Sequence, residues 1–191
     1  MKLLHLDTSA LGANSVTREL SAVIVARWQA AVPDLAVDYR DLDADPLPHL
    51  TGAELTGANA EAKAAGDATM DQFLASDVIV IGAPMYNFGI PSTLKAWIDR
   101  VAVAGKTFRY TEAGPEGLAK GKRLIVASGR GGIHGADADF QENYLRYVFG
   151  FLGVTDVEFV RAEGIAYSPQ HRTDALAGAK AAIAVPLREA A

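Results

Sequence analysis

The 191-residue chain contains no cysteine. Disulfides, thiolate nucleophiles and cysteine-ligated zinc or iron–sulfur centres are therefore excluded. It has no run of about 18 apolar residues, so no membrane span is expected. Positive charge is also scarce: 18 Lys and Arg stand against 23 Asp and Glu, a net charge of −5. No basic stripe is visible, which argues against a nucleic-acid partner. Among the four histidines none joins carboxylates at a ligating spacing, so no metal is expected. His5 lies in an expected strand, and His49 and His171 read as surface residues. Electron-transfer chemistry is then left to a bound organic cofactor. Met1 to Asp7 carries one lysine and reaches an aspartate too early for a signal peptide, so the cytoplasm is the expected location.

What is present is globular: half of the residues are apolar and 21% are charged. The length suits one domain over 1–191 with a full core. Strands are expected at 3–7, 35–40, 77–82, 123–128 and 154–161. Helices are expected at 15–31, within 60–75, and at 91–104, 140–152 and 173–188. The run Asp77–Gly82 is β-branched through its four central residues, as in a strand buried on both faces. Five strands alternating with helices give an α/β fold, a doubly wound parallel sheet covered on both sides. Ligands of such sheets sit beyond the carboxyl ends of the strands, so three loops carry the functional question.

The first loop runs from Asp7 to Thr17 and has neither GxGxxG nor GxxxxGK[ST]. It offers hydroxyls at Ser9, Ser15 and Thr17 and then opens a helix, whose free N–H groups favour a phosphate. The plainer alternative makes Asn14 or Ser15 only an N-cap. The second loop places Met85, Tyr86, Asn87 and Phe88 after the most apolar strand, where apolar bodies suit a planar ring. A small packing plug is the alternative. The third loop, Ser128 to His134, has glycines at 129, 131 and 132. They let backbone approach a ligand and form an anion-favouring nest, with polar contacts from Arg130 and His134. An ordinary flexible turn is the alternative. Together the loops meet the needs of FMN.

The residues Ser9 with Ser15-Val16-Thr17, Met85-Tyr86-Asn87-Phe88, Phe108–Glu112 with Gly114–Leu118, Arg130–His134 and Ala162–Tyr167 resemble the bacterial FMN-dependent NADH-azoreductase and quinone reductase family. That resemblance implies a flavodoxin-like fold, a homodimer, and ping-pong transfer of two electrons from NADH through FMN to quinones and azo compounds. It implies Ser9 and Ser15, Val16 and Thr17 at the phosphate. It implies Met85, Tyr86, Asn87, Phe88, Gly129, Arg130, Gly131 and Gly132 at the isoalloxazine, with His134 at its pyrimidine edge. The flavin carries the chemistry, and no side chain is assigned a catalytic role. Thr17 stands where the family often has Ser, and Gly129 where Ser commonly precedes Arg-Gly-Gly. A flavodoxin-like electron carrier and a related FMN reductase with other acceptors are the competing functions.

The insertion at 106–118 alternates and then turns through Ala113-Gly114-Pro115, which reads as a hairpin arm. Its aromatics Phe108 and Tyr110 have no obvious core to join, and local packing of the arm onto its own domain is the plainer alternative to an arm that reaches across a two-fold axis. The resemblance points to Tyr110 and Phe151 as aromatic walls of a substrate pocket over the partner's flavin.

Overall fold

A computed structural model of the chain describes residues 1–56 and 58–184, apart from the Ala62 side chain. Its elements follow in order: β1 (Lys2–Asp7), α1 (Val16–Ala31), β2 (Ala36–Asp41), α2 (Gly52–Leu55), α3 (Ala60–Ala75), β3 (Val78–Pro84), α4 (Ser92–Val101), β4 (Phe108–Thr111), β5 (Gly114–Gly117), β6 (Arg123–Gly129), α5 (Phe140–Leu152), β7 (Asp156–Ala162) and α6 (Pro169–Ala182). The main sheet has the order β2-β1-β3-β6-β7, and every pair in it is parallel. This is the 2-1-3-4-5 order of a flavodoxin-like sheet, with its switch point between β1 and β3.

The core explains the order. Every residue of β3 is buried, because helices cover both faces of the sheet. On one side α1 lays Leu20, Ile24 and Trp28 on Leu3, Val80 and Ile125. On the other, Phe73 of α3, Trp97 of α4 and Phe149 of α5 meet over Ile79, Ile81 and Val126. Each fully buried side chain of this size contributes on the order of 1.5–3 kcal/mol.

Local signals set the boundaries. Ser15 caps α1 by accepting from the Arg18 N–H, and Asp139 caps α5 through Glu142. Gly153 ends α5 at φ 101°, the left-handed region that favours glycine. α4 stops at Val101, short of the expected 104. α6 starts at Pro169, four residues before the expected start, because Ser168 caps it and Pro169 suits its first turn. The expected helical residues 185–188 lie outside the described residues.

The arm is an antiparallel hairpin, with Phe108 opposite Gly117 and Thr111 opposite Gly114. Its turn is Glu112–Ala113, one step earlier than the glycine and proline suggest. One expectation about it needs correction. Phe108 does find a core: it is buried, and its ring lies 4.5 Å from that of Phe151. The base of the arm is also locked to α5, since a Cβ on Gly117 would come within 2.2 Å of the Gly153 nitrogen. Tyr110 alone stays out, 76% exposed.

Candidate functional site

All five parallel strands end on one edge, at Asp7, Asp41, Pro84, Gly129 and Ala162. The three candidate loops leave from that edge and touch. Tyr86 Oη, from the second loop, accepts from the Ala10 N–H of the first at 3.2 Å and pairs with Ser9 Oγ at 3.2 Å. Met85 N–H donates to the Gly129 carbonyl at 2.8 Å, joining the second loop to the third. Gly129 lies so close to α1 that a Cβ there would sit 2.8 Å from Thr17 Cγ2. A serine at 129 would not fit this approach, which gives the glycine a physical reason.

The hydroxyls have protons to spare. Ser15 Oγ and Thr17 Oγ1 are buried and 3.1 Å apart, and Ser15 Oγ also accepts from Arg18 N–H. One hydroxyl proton is used between them, and the other has no acceptor among the described residues. The Ser9–Tyr86 pair repeats this count, because Ser9 Oγ also accepts from Leu11 N–H. As the first residues of α1, Val16 and Thr17 also have N–H groups with no carbonyl one turn earlier in the helix. Two spare hydroxyl protons and a helix start form a donor set without fixed positive charge, which fits a phosphate. Ser15 is an N-cap as well, so both readings of this residue hold.

The second loop is a two-residue turn. Tyr86 and Gly89 exchange both backbone hydrogen bonds at 3.0 Å, and Asn87 and Phe88 have φ of 49° and 67°. Left-handed φ is uncommon for Phe and costs about 1–3 kcal/mol. Phe88 is held half exposed, its ring edge-on to His134 with 5.3 Å between centroids. A strained aromatic at the rim of the sheet is better suited to a planar ligand than to packing, since the core gains little from it.

The third loop corrects two expectations. Gly131 and Gly132 do not have positive φ, so no left-handed nest forms. Their carbonyls instead accept from Ala166 and Gly164, which adds a rung beyond the end of β7. Their N–H groups donate to nothing among the described residues, so they remain available to a ligand. Arg130 turns inward, 2% exposed, onto Glu142 at 2.7 Å, Asp139 at 2.8 Å and Glu163 at 3.4 Å. Its side chain braces the loop and does not face a ligand.

Sequence reasoning missed the braces. Arg18 donates to the Ser9 carbonyl through Nε and Nη2 and grips Asp41 with two bonds. Those bonds lower the Asp41 carboxyl and raise the Arg18 guanidinium. Asp41 is therefore held in an ion pair at the end of β2. Arg161 closes the second brace with two 2.6 Å bonds to Glu142, which raise its own pKa. Both pairs join separate elements, so no local spacing announces them. An open cleft of about 610 Å³ lies beside the first loop on the β2 side. Ser15 and Arg18 line it together with Asp7, Glu19, Asp41 and Asp43, so the hydroxyl of the helix cap stands at its wall beside a net negative charge.

Tyr110 and Phe151 are not with the three loops. α5 runs back against the strands, so the rise from Phe140 to Phe151 carries that ring about 16 Å from the start of the helix.

Residues 1–186 match the family described as flavodoxin-like fold. The chain is 65% identical over 184 residues to the FMN-dependent NADH:quinone oxidoreductase of Stenotrophomonas maltophilia, covering 96% of this chain and 94% of that one. Its fold is similar to that of an azoreductase from Bacillus anthracis, with a TM-score of 0.87 at 30% identity, covering 96% and 97% of the two chains. It is also similar to an FMN-dependent NADH-azoreductase from the same species in complex with FMN, with a TM-score of 0.85 at 27% identity and 95% of each chain covered.

Proposed function

The chain belongs to the flavodoxin-like fold family, and on that premise we propose that it is an FMN-dependent oxidoreductase that passes two electrons from NADH to quinones and azo compounds. The observation that carries this reading is the pair of spare hydroxyl protons beside the start of α1, within hydrogen-bond reach of the Met85–Phe88 loop. The relatives' names support the donor, the cofactor and both acceptor classes.

Bound FMN supplies reversible two-electron chemistry, and the protein supplies binding, orientation and field. Ser9, Ser15, Val16 and Thr17 hold the phosphate. Met85–Phe88 would hold the ring, and the free N–H groups of Gly131 and Gly132, with His134 beside them, would supply donors to it. Amides fixed before reaction stabilise developing negative charge without reorganising. Water meets the proton demand of an azo acceptor, and no side chain in the cluster is given that role.

We further read residues 1–191 as one flavin-binding unit whose pocket is completed by a second copy. Phe151 lies near the far end of α5 with the arm packed on it through Phe108, Tyr110 stands exposed beside Phe108, and α5 exposes Phe140 and Tyr147. An isologous pair brings each arm to the other's site. A dedicated electron carrier has no use for such an arm. The use of NADH supports a cytoplasmic location. Among the described residues no helix is long and apolar enough to cross a membrane.

The test is rapid mixing. The FMN-loaded protein should be bleached by NADH in one phase and recover its yellow absorbance on adding a quinone or an azo dye. A bound flavin that NADH leaves oxidised sinks the enzyme reading, and failure to bind FMN sinks the cofactor with it.

A further inference from the structure

We propose that Arg130 is a positioning residue that sets the reduction potential of the flavin by charge balance, without touching it. The inference rests on the FMN reading above. Arg130 sits directly before Gly131 and Gly132, the two residues with free N–H groups, and its own backbone is fixed on both sides. Its N–H donates to the Ala162 carbonyl at 2.9 Å, and its carbonyl accepts from Ile165 at 3.1 Å. The guanidinium beneath is engaged through all three nitrogens, on Asp139, Glu142, Glu163 and, through Nε at 3.5 Å, Ser128 Oγ. Four of its five N–H donors are spent inside the cluster.

The cluster does not balance. Arg130 and Arg161 bring two positive charges, and Asp139, Glu142 and Glu163 bring three negative ones, leaving one net negative charge below the loop. The whole set shares one field, since Asp139 and Glu163 also act on Arg161. Arg130 is the most buried of the five, so its charge is the least screened by water. Negative charge here opposes the negative charge a flavin gains on reduction. Arg130 limits that opposition to a single unit while it aims the amides that counter it. Removing Arg130 takes the cluster to two net negative charges, and removing Glu163 takes it to zero. Glu163 is the dispensable partner, because it is partly exposed and makes the longest of the three contacts.

The prediction is a pair of opposite signs. Arg130→Gln should lower the midpoint potential of bound FMN, and Glu163→Gln should raise it. Each shift should be about tenfold in the reduced-to-oxidised ratio at fixed poise, or about 30 mV for two electrons. Arg130→Lys keeps the charge and loses the fork, and should restore most of the potential. The measurement is a spectroscopic redox titration of the loaded proteins, with apoprotein melting and FMN affinity recorded alongside. A bracing role alone lowers melting or affinity and gives no opposite pair. Should Arg130→Gln fail to fold, Glu163→Gln decides by its sign: a rise supports the proposal, and a fall or no change overturns it. Shifts of the same sign in the two variants also overturn it, with the FMN reading intact. A wild-type protein that binds no FMN overturns both.

Discussion

Arg18 holds the Ser9 carbonyl at 2.9 Å with the same Nη2 that grips Asp41 Oδ1 at 2.7 Å. The loop after β1 is thereby fastened to the far end of β2. The proposed phosphate donors are held in place before any ligand arrives, which lowers the ordering cost of binding.

This clamp carries a pH signature. The hydrogen bonds from Arg18 hold the Asp41 carboxyl below its ordinary value. A depressed carboxylate stabilises the fold above its unfolded pKa, near 3.9, and loses that contribution as pH falls through the lower folded value. Arg18 stays charged throughout. Asp41→Asn should therefore cost on the order of 1.5–3 kcal/mol at pH 7. The gap in melting temperature between variant and wild type should close below about pH 3.9. A gap that is constant from pH 7 to pH 3 means the clamp is not ionic.

The buried hydroxyl pair makes a sharper claim about the cofactor. Ser15→Ala with Thr17→Ala removes the spare proton at the helix start. FMN binding should weaken by about 1.5–3 kcal/mol per bond lost to the phosphate. Riboflavin, which has no phosphate, should lose much less. Titration of the apoprotein with each ligand separates the cases, and equal losses would take the phosphate away from this loop.

Phe88 is held where glycine is preferred. Phe88→Gly gives Asn-Gly, the pair that two-residue turns of this kind favour most. It should relieve about 1 kcal/mol or more of strain and leave apoprotein melting unchanged or higher. FMN should bind more weakly, because the ring face at the rim is gone. A clear loss of apoprotein stability would instead make Phe88 a packing residue.

The elements were legible wherever pattern and punctuation agreed. Asp77–Gly82 could be read as the central strand because its β-branched run has no polar face, and α5 because Asp139 and Gly153 bracket it. The loops were legible as types: hydroxyls before a helix, aromatics after a strand, glycines after another. Arg130 was misread because its number places it in the loop, whereas its charge belongs to partners 9, 12 and 33 residues away. The glycines at 129, 131 and 132 suggest a nest, but at Gly129 the glycine serves closeness, to Thr17 Cγ2. Residue type announces that glycine is required; it does not say whether for φ or for space. Arg18–Asp41 left no local trace, since its two ends lie in different elements.

The final prediction concerns Tyr110, which is far from the loops of its own chain yet is the most exposed aromatic of the arm. Exposing a tyrosine on a hairpin whose base is locked to α5 brings the monomer no packing. It becomes useful once a second copy presents its functional edge to the arm. Two defective chains can then repair each other. One chain carries Ser15→Ala and Thr17→Ala with an intact arm; the other carries Tyr110→Ala with intact loops. In a shared-site dimer, a mixed pair has one site built from the good loops of one chain and the good arm of the other. Its second site carries both defects. Equal mixing with free exchange makes about half of the dimers mixed, so roughly a quarter of all sites become wild type. Turnover of a bulky azo acceptor should rise above the mean of the two separate variants by that share. It should rise only after the chains have been allowed to exchange, and the wild-type protein should sediment as a dimer at assay concentration. Activity that stays at the mean after full exchange would return Tyr110 to the surface of its own subunit and leave each site to a single chain.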